Sequence, residues 1–79
     1  MQLYTKSQCR FCELAKTYLS NKGVSYDIID ITNDDQKREY LMSLGVRSIP
    51  QLFINNELVP NGFDGILELS NEQLGIYND

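Results

Sequence analysis

The chain has 79 residues, 42% of them hydrophobic, with 7 basic and 11 acidic side chains, no histidine and a net charge of −4. That is room for one domain, 1–79, with a thin core, since a chain this short buries only about 60% of its unfolded surface. The negative balance argues against a nucleic-acid partner. No apolar run approaches the roughly 20 residues that span a bilayer, and the opening Met-Gln-Leu-Tyr-Thr-Lys lacks a signal-peptide core, so we expect a cytoplasmic monomer with no membrane contact.

In chain order, residues 2–5 predict a short strand. Cys9 then leads into a helical pattern with Leu14, Ala15, Tyr18 and Leu19 on one face, Lys16, Thr17, Ser20 and Asn21 toward water, and Gly23 as the C′ stop. Ser25 to Ile31 is β-branched and aromatic enough for a second strand. Thr32 or Asn33 caps a second helix, whose positive end suits Asp34 and Asp35; Tyr40, Leu41 and Leu44 form its apolar stripe, and Gly45 ends it. Pro50 opens the buried strand Gln51-Leu52-Phe53-Ile54, Asn55-Asn56 tolerate the positive φ of a tight hairpin, and Glu57-Leu58-Val59 return. A last helix includes Ile66, Leu67 and Leu69; after it, Ser70–Gln73 either cap one more turn or fray.

The order β-α-β-α-β-β-α is an α/β arrangement. Its βαβ start implies a parallel pair joined by a right-handed crossover, and the hairpin adds an antiparallel edge. The result is a four-stranded mixed sheet with helices packed on it.

Cys9-Arg10-Phe11-Cys12 is a C-x-x-C motif between a predicted strand and a predicted helix, which in an intracellular chain reads as a thioredoxin-like redox pair. Residues three apart in a first helical turn share a face, so the two sulfurs can meet. A structural staple across so short a loop would stabilise little, and zinc would need four ligands where this chain offers one C-x-x-C and no histidine. Cys9, the more exposed of the two, is the expected nucleophile and Cys12 its resolving partner. A free thiol has a pKa of about 8.5, and bringing it to about 5 takes roughly 5 kcal/mol. A helix dipole supplies about 2 kcal/mol at most, so amide hydrogen bonds, the Cys12 thiol, Lys6 and Arg10 must contribute the remainder.

At this point the chain resembles the glutaredoxin family over nearly its whole length. Tyr4-Thr5-Lys6-Ser7-Gln8-Cys9-Arg10-Phe11-Cys12 is similar to that family's first strand and active-site loop, with Arg10-Phe11 standing where Pro-Tyr is usual. Arg47-Ser48-Ile49-Pro50 resembles the family's Thr-Val-Pro segment, which implies a cis Pro50 and a strand-like backbone contact from Ile49 to the cysteine of glutathione. Asn61-Gly62-Phe63-Asp64 falls where the family carries Gly-Gly-x-Asp, which implies that Phe63 and Asp64 hold the γ-glutamyl end; read without the resemblance, Asp64 is a helix N-cap. Lys6 and Lys37 match positions that face the glycine carboxylate. The resemblance thus implies a glutathione site of Lys6, Phe11, Lys37, Ser48, Ile49, Pro50, Gly62, Phe63 and Asp64, with glutathione as reducing co-substrate and no resident cofactor or metal. It implies reduction of protein or glutathione mixed disulfides, with ribonucleotide reductase as one acceptor. Two alternatives stand beside it. One is an NrdH-type redoxin reduced by thioredoxin reductase, echoed in Asn61-Gly62-Phe63 and in Arg10. The other is a [2Fe–2S] carrier, which typically has Ser at the position Cys12 keeps.

Overall fold

Alternation along two short strands, β1 (Gln2–Thr5) and β3 (Gln51–Ile54), divides the apolar side chains into two layers in the computed structural model, which describes residues 1–76. Leu3 and Leu52 are cross-strand partners and fully buried. They join Ala15, Leu19, Val59, Ile66 and Leu74 in one cluster. Tyr4 and Phe53 belong to the second cluster, with Ile31 and Leu41. The period of two along a strand thus supplies a core to each face of the sheet.

The first face is covered by α1 (Arg10–Asn21) and α3 (Gly62–Leu67), the second by α2 (Asp35–Ser43). β2 (Asp27–Asp30) runs parallel to β1, and β4 (Glu57–Leu58) pairs antiparallel with β3, giving the order β2-β1-β3-β4. The expected mixed sheet is present. The hairpin turn uses Asn55 and Asn56 at φ 51° and 66°, the left-handed pair that a two-residue turn requires.

Some local expectations change. The buried face of α1 is Cys12, Ala15 and Leu19, and this 3-then-4 spacing leaves Leu14 exposed on the far side. Of the stripe expected on α2 only Leu41 is buried, although Tyr40 lays its ring 6.1 Å from Phe53. The cap of α2 is Asp34, whose carboxylate accepts from the Lys37 amide at 3.0 Å; Thr32 is committed elsewhere. Leu69 lies just beyond the end of α3. The stretch after it is ordered by a reciprocal cap: Ser70 N–H donates to Gln73 Oε1 at 3.0 Å, and Gln73 N–H donates to Ser70 Oγ at 3.1 Å. That turn places Leu74 in the core.

Candidate active site

Gln8, at φ 54°, turns the chain out of β1 so that Cys9 arrives at the head of α1. Cys9 is the N-cap in extended conformation, and its sulfur accepts from the Cys12 amide at 3.2 Å. The two cysteines form a disulfide with their Cα atoms 5.2 Å apart. Cys12 is fully buried, whereas Cys9 stays partly exposed. An amide aimed at the Cys9 sulfur favours its thiolate when the pair is reduced.

The approach loop is tied to the end of β2. Ser7 N–H donates to Thr32 Oγ1 at 2.8 Å, and Thr32 donates to Asp30 through both its hydroxyl, at 2.6 Å, and its amide, at 2.8 Å. The Thr32 hydroxyl, followed by its amide, holds the Asp30 carboxyl below the ordinary aspartate value. Neither residue was singled out as part of the site; the Asp-x-Thr spacing after a strand is the signal for this turn.

Beside the disulfide, Phe11 is 54% exposed and lays its ring 5.2 Å from that of Phe63. With Ser48, Ile49, Pro50, Gly62 and Asp64 this aromatic pair lines a cleft of about 260 Å³. The Ile49–Pro50 bond is cis. Seven of the residues named from the resemblance therefore share one groove. Asp64 sits in the first turn of α3, and the N-cap position is filled by Asn61 at φ 69° without a side-chain cap bond, so Asp64 is not the cap.

Lys6 lines a neighbouring cleft, which Ser48 and Ile49 share with the first. Lys37 does not reach either: it lines a separate depression with Gln2, Tyr4 and Tyr40. One residue along α2 turns a side chain by about 100°, and Arg38, not Lys37, faces the cleft of Lys6.

In the sequence Gln51 carries only the signal of a strand residue. Its amide is buried, donates to the Ser48 carbonyl at 3.0 Å and the Ser48 hydroxyl at 3.2 Å, and lies under Gly62, where a Cβ would stand 3.4 Å from Nε2. It props the loop that carries Ile49 and Pro50.

A buried and a half-exposed cysteine at the mouth of a helix, on this sheet, define a thioredoxin-like thiol–disulfide oxidoreductase. Comparison with known proteins sharpens the class. Residues 1–59 match the family model described as Glutaredoxin. Glutaredoxin 3 of Escherichia coli (strain K12) is 36% identical over 70 residues, covering 87% of this chain and 83% of its own length. N-acetyl-S-hydroxy-L-cysteine reductase of Bacillus subtilis (strain 168) is 32% identical over 75 residues, covering 94% and 77%. Among solved structures, NrdH-redoxin from Escherichia coli, a glutaredoxin-like protein with a thioredoxin-like activity profile, superposes with a TM-score of 0.74 at 25% identity, covering 87% of this chain and 92% of its own. The chain belongs to the glutaredoxin family.

Proposed function

We propose that this protein is a glutathione-dependent reductase of protein and glutathione mixed disulfides, working in the cytoplasm as a monomer, with ribonucleotide reductase among its acceptors. The Cys9 thiolate attacks one sulfur of the substrate disulfide. A new S–S bond forms, and the other sulfur leaves with the electron pair as thiolate. The Cys12 thiolate, or that of glutathione, then attacks Cys9 and frees the second substrate thiol. Attack by Cys12 leaves a Cys9–Cys12 disulfide, which two glutathione thiols return to the dithiol; attack by glutathione leaves a Cys9–glutathione disulfide, which a second glutathione thiol cleaves; in both branches the two glutathiones end as glutathione disulfide.

One observation carries this reading. One cleft is lined together by Phe11, which stands between the two cysteines in the chain, by Ile49 and Pro50, and by Asp64. An extended tripeptide whose cysteine meets Cys9 would lie along Ile49 with its amino end toward Asp64, a carboxylate suited to a cationic amine. Lys6 and Arg47, in the adjoining cleft, suit its other terminus.

A second reading has its own support. Arg10 replaces the family's usual proline, and Asn61-Gly62-Phe63, whose phenylalanine ring lies 5.2 Å from that of Phe11, echoes the Ser-Gly-Phe segment of NrdH-type redoxins, which take electrons from thioredoxin reductase. The experiment is turnover of a protein disulfide with glutathione plus glutathione reductase, run beside NADPH plus thioredoxin reductase. We expect the glutathione system to sustain turnover. Turnover with thioredoxin reductase alone establishes the second reading instead.

A further inference from the structure

We propose that the cleft between α2 and the Ser48–Ile49 loop docks a segment of a disulfide-bearing protein substrate that carries a bulky apolar residue and an acidic residue on one side of its reactive cysteine. This rests on the dithiol chemistry proposed above and names the class of protein that feeds it.

The cleft has a volume of about 390 Å³, within the range of roughly 300–1,000 Å³ typical of ligand sites. Its walls divide by chemistry. Leu41, Val46 and Ile49 give it an apolar floor, and Met42, 60% exposed, extends that floor at the lip. A flexible thioether at such an edge adapts to side chains of different shape. The rim is cationic: Lys6, Arg38 and Arg47 line it, and no Asp or Glu does. Arg38 is held in place by the carbonyls of Ile31 and Thr32, with exposed Asp35 meeting its guanidinium at 3.5 Å.

Position decides the occupant. Ser48 and Ile49 line this cleft and the groove beside Phe11 alike, so a polypeptide whose cysteine lies at Cys9 and whose backbone follows Ile49 continues into the space over Leu41 and Met42. Glutathione has no bulky apolar side chain to fill that floor; a protein segment does. Charge selects among segments. The molecule is anionic overall, at −4, and its bases all lie at or before Arg47. Three of the seven bases line this rim with no acid among them, which draws an acidic side chain to it.

The test is a single-turnover reaction with no glutathione present. Pre-reduced protein is mixed with cyclic disulfide peptides, and formation of the Cys9–Cys12 disulfide is followed by acid quench and alkylation as the peptide becomes a dithiol. One peptide pair carries Leu-Glu beside a cysteine, on either side in turn, and the matched pair carries Ala-Lys. We expect one Leu-Glu peptide to react about tenfold faster than its match, the scale of burying one large apolar side chain, with the preference shrinking as salt is added. In Met42→Glu the preference collapses while the rate with hydroxyethyl disulfide, which has no flanking residues, is unchanged. Equal rates for matched peptides overturn the proposal, as does a preference that survives Met42→Glu. A dimer dispersed by Met42→Glu also overturns it, by making a second copy the occupant. Inertness toward hydroxyethyl disulfide strikes at the dithiol chemistry itself and takes the proposal with it; loss of glutathione turnover alone leaves this test intact.

Discussion

Cys12 is sealed under the first turn of α1 while its partner remains within reach of solvent, so the division of labour between the sulfurs is built into burial. Cys12→Ser removes the internal resolving thiol, and a mixed disulfide should accumulate on Cys9, visible by mass spectrometry after reaction with a disulfide substrate. Adducts found only on Cys12 in Cys9→Ser would reverse the assignment. Gln51 is the other residue with a measurable role. Its buried Nε2 serves two atoms of Ser48, and its Oε1 has no partner among the described residues. Gln51→Glu replaces a donor with a charge facing a carbonyl, and we expect a loss of about 2 kcal/mol or more at pH 7. Burial raises the new carboxyl's pKa, so its protonated form is favoured on folding and the deficit in the urea midpoint should narrow on acidification. A deficit independent of pH would count against that account.

At the level of elements, α3 is the piece most dependent on close approach. Its Gly65 lies so near the preceding loop that a Cβ would stand 1.7 Å from the Pro60 carbonyl oxygen, a backbone atom. Gly65→Ala therefore forces the helix off the loop, and we expect roughly 3 kcal/mol of destabilisation, read as a lower urea midpoint. An unchanged midpoint would show that the loop yields freely. Nothing in the sequence marks Gly65, because the contact is with chain folded back from outside the helix. The same distinction explains what was legible. The order of elements along the chain, the asparagine turn, the glycine stops and the C-x-x-C placement are local patterns, and the structure has them. The Phe11–Pro50–Asp64 groove was reachable only through family resemblance, since its walls come from three separate parts of the chain. Lys37 was assigned by counting along α2, and a single position of helical phase sent it elsewhere and brought in Arg38. The cap of α2 moved to Asp34 because Thr32 spends its hydroxyl on Asp30.

For the molecule as a whole, the strand order of the described residues leaves β2 and β4 as the two margins of the sheet; on β2, Asp27 and Asp30 bracket Ile28, which is 53% exposed. A second molecule that added its own β2 there antiparallel, centred on Ile28 and Ile29, would set Asp27 of each copy against Asp30 of the other. Like charges directly opposed across a ladder are unfavourable. The bonds from Thr32 depress the Asp30 pKa, so this carboxylate stays ionised further into acid than an ordinary aspartate. Light scattering at neutral pH should accordingly rise in Asp30→Asn, which removes one of the two opposed charges; scattering equal to the parent's would rule the effect out. The aspartate that anchors Thr32, and through it the approach to Cys9, thereby doubles as a guard against edge-to-edge pairing, and a substitution there chosen to loosen the catalytic loop would also weaken the protein's resistance to sticking to itself.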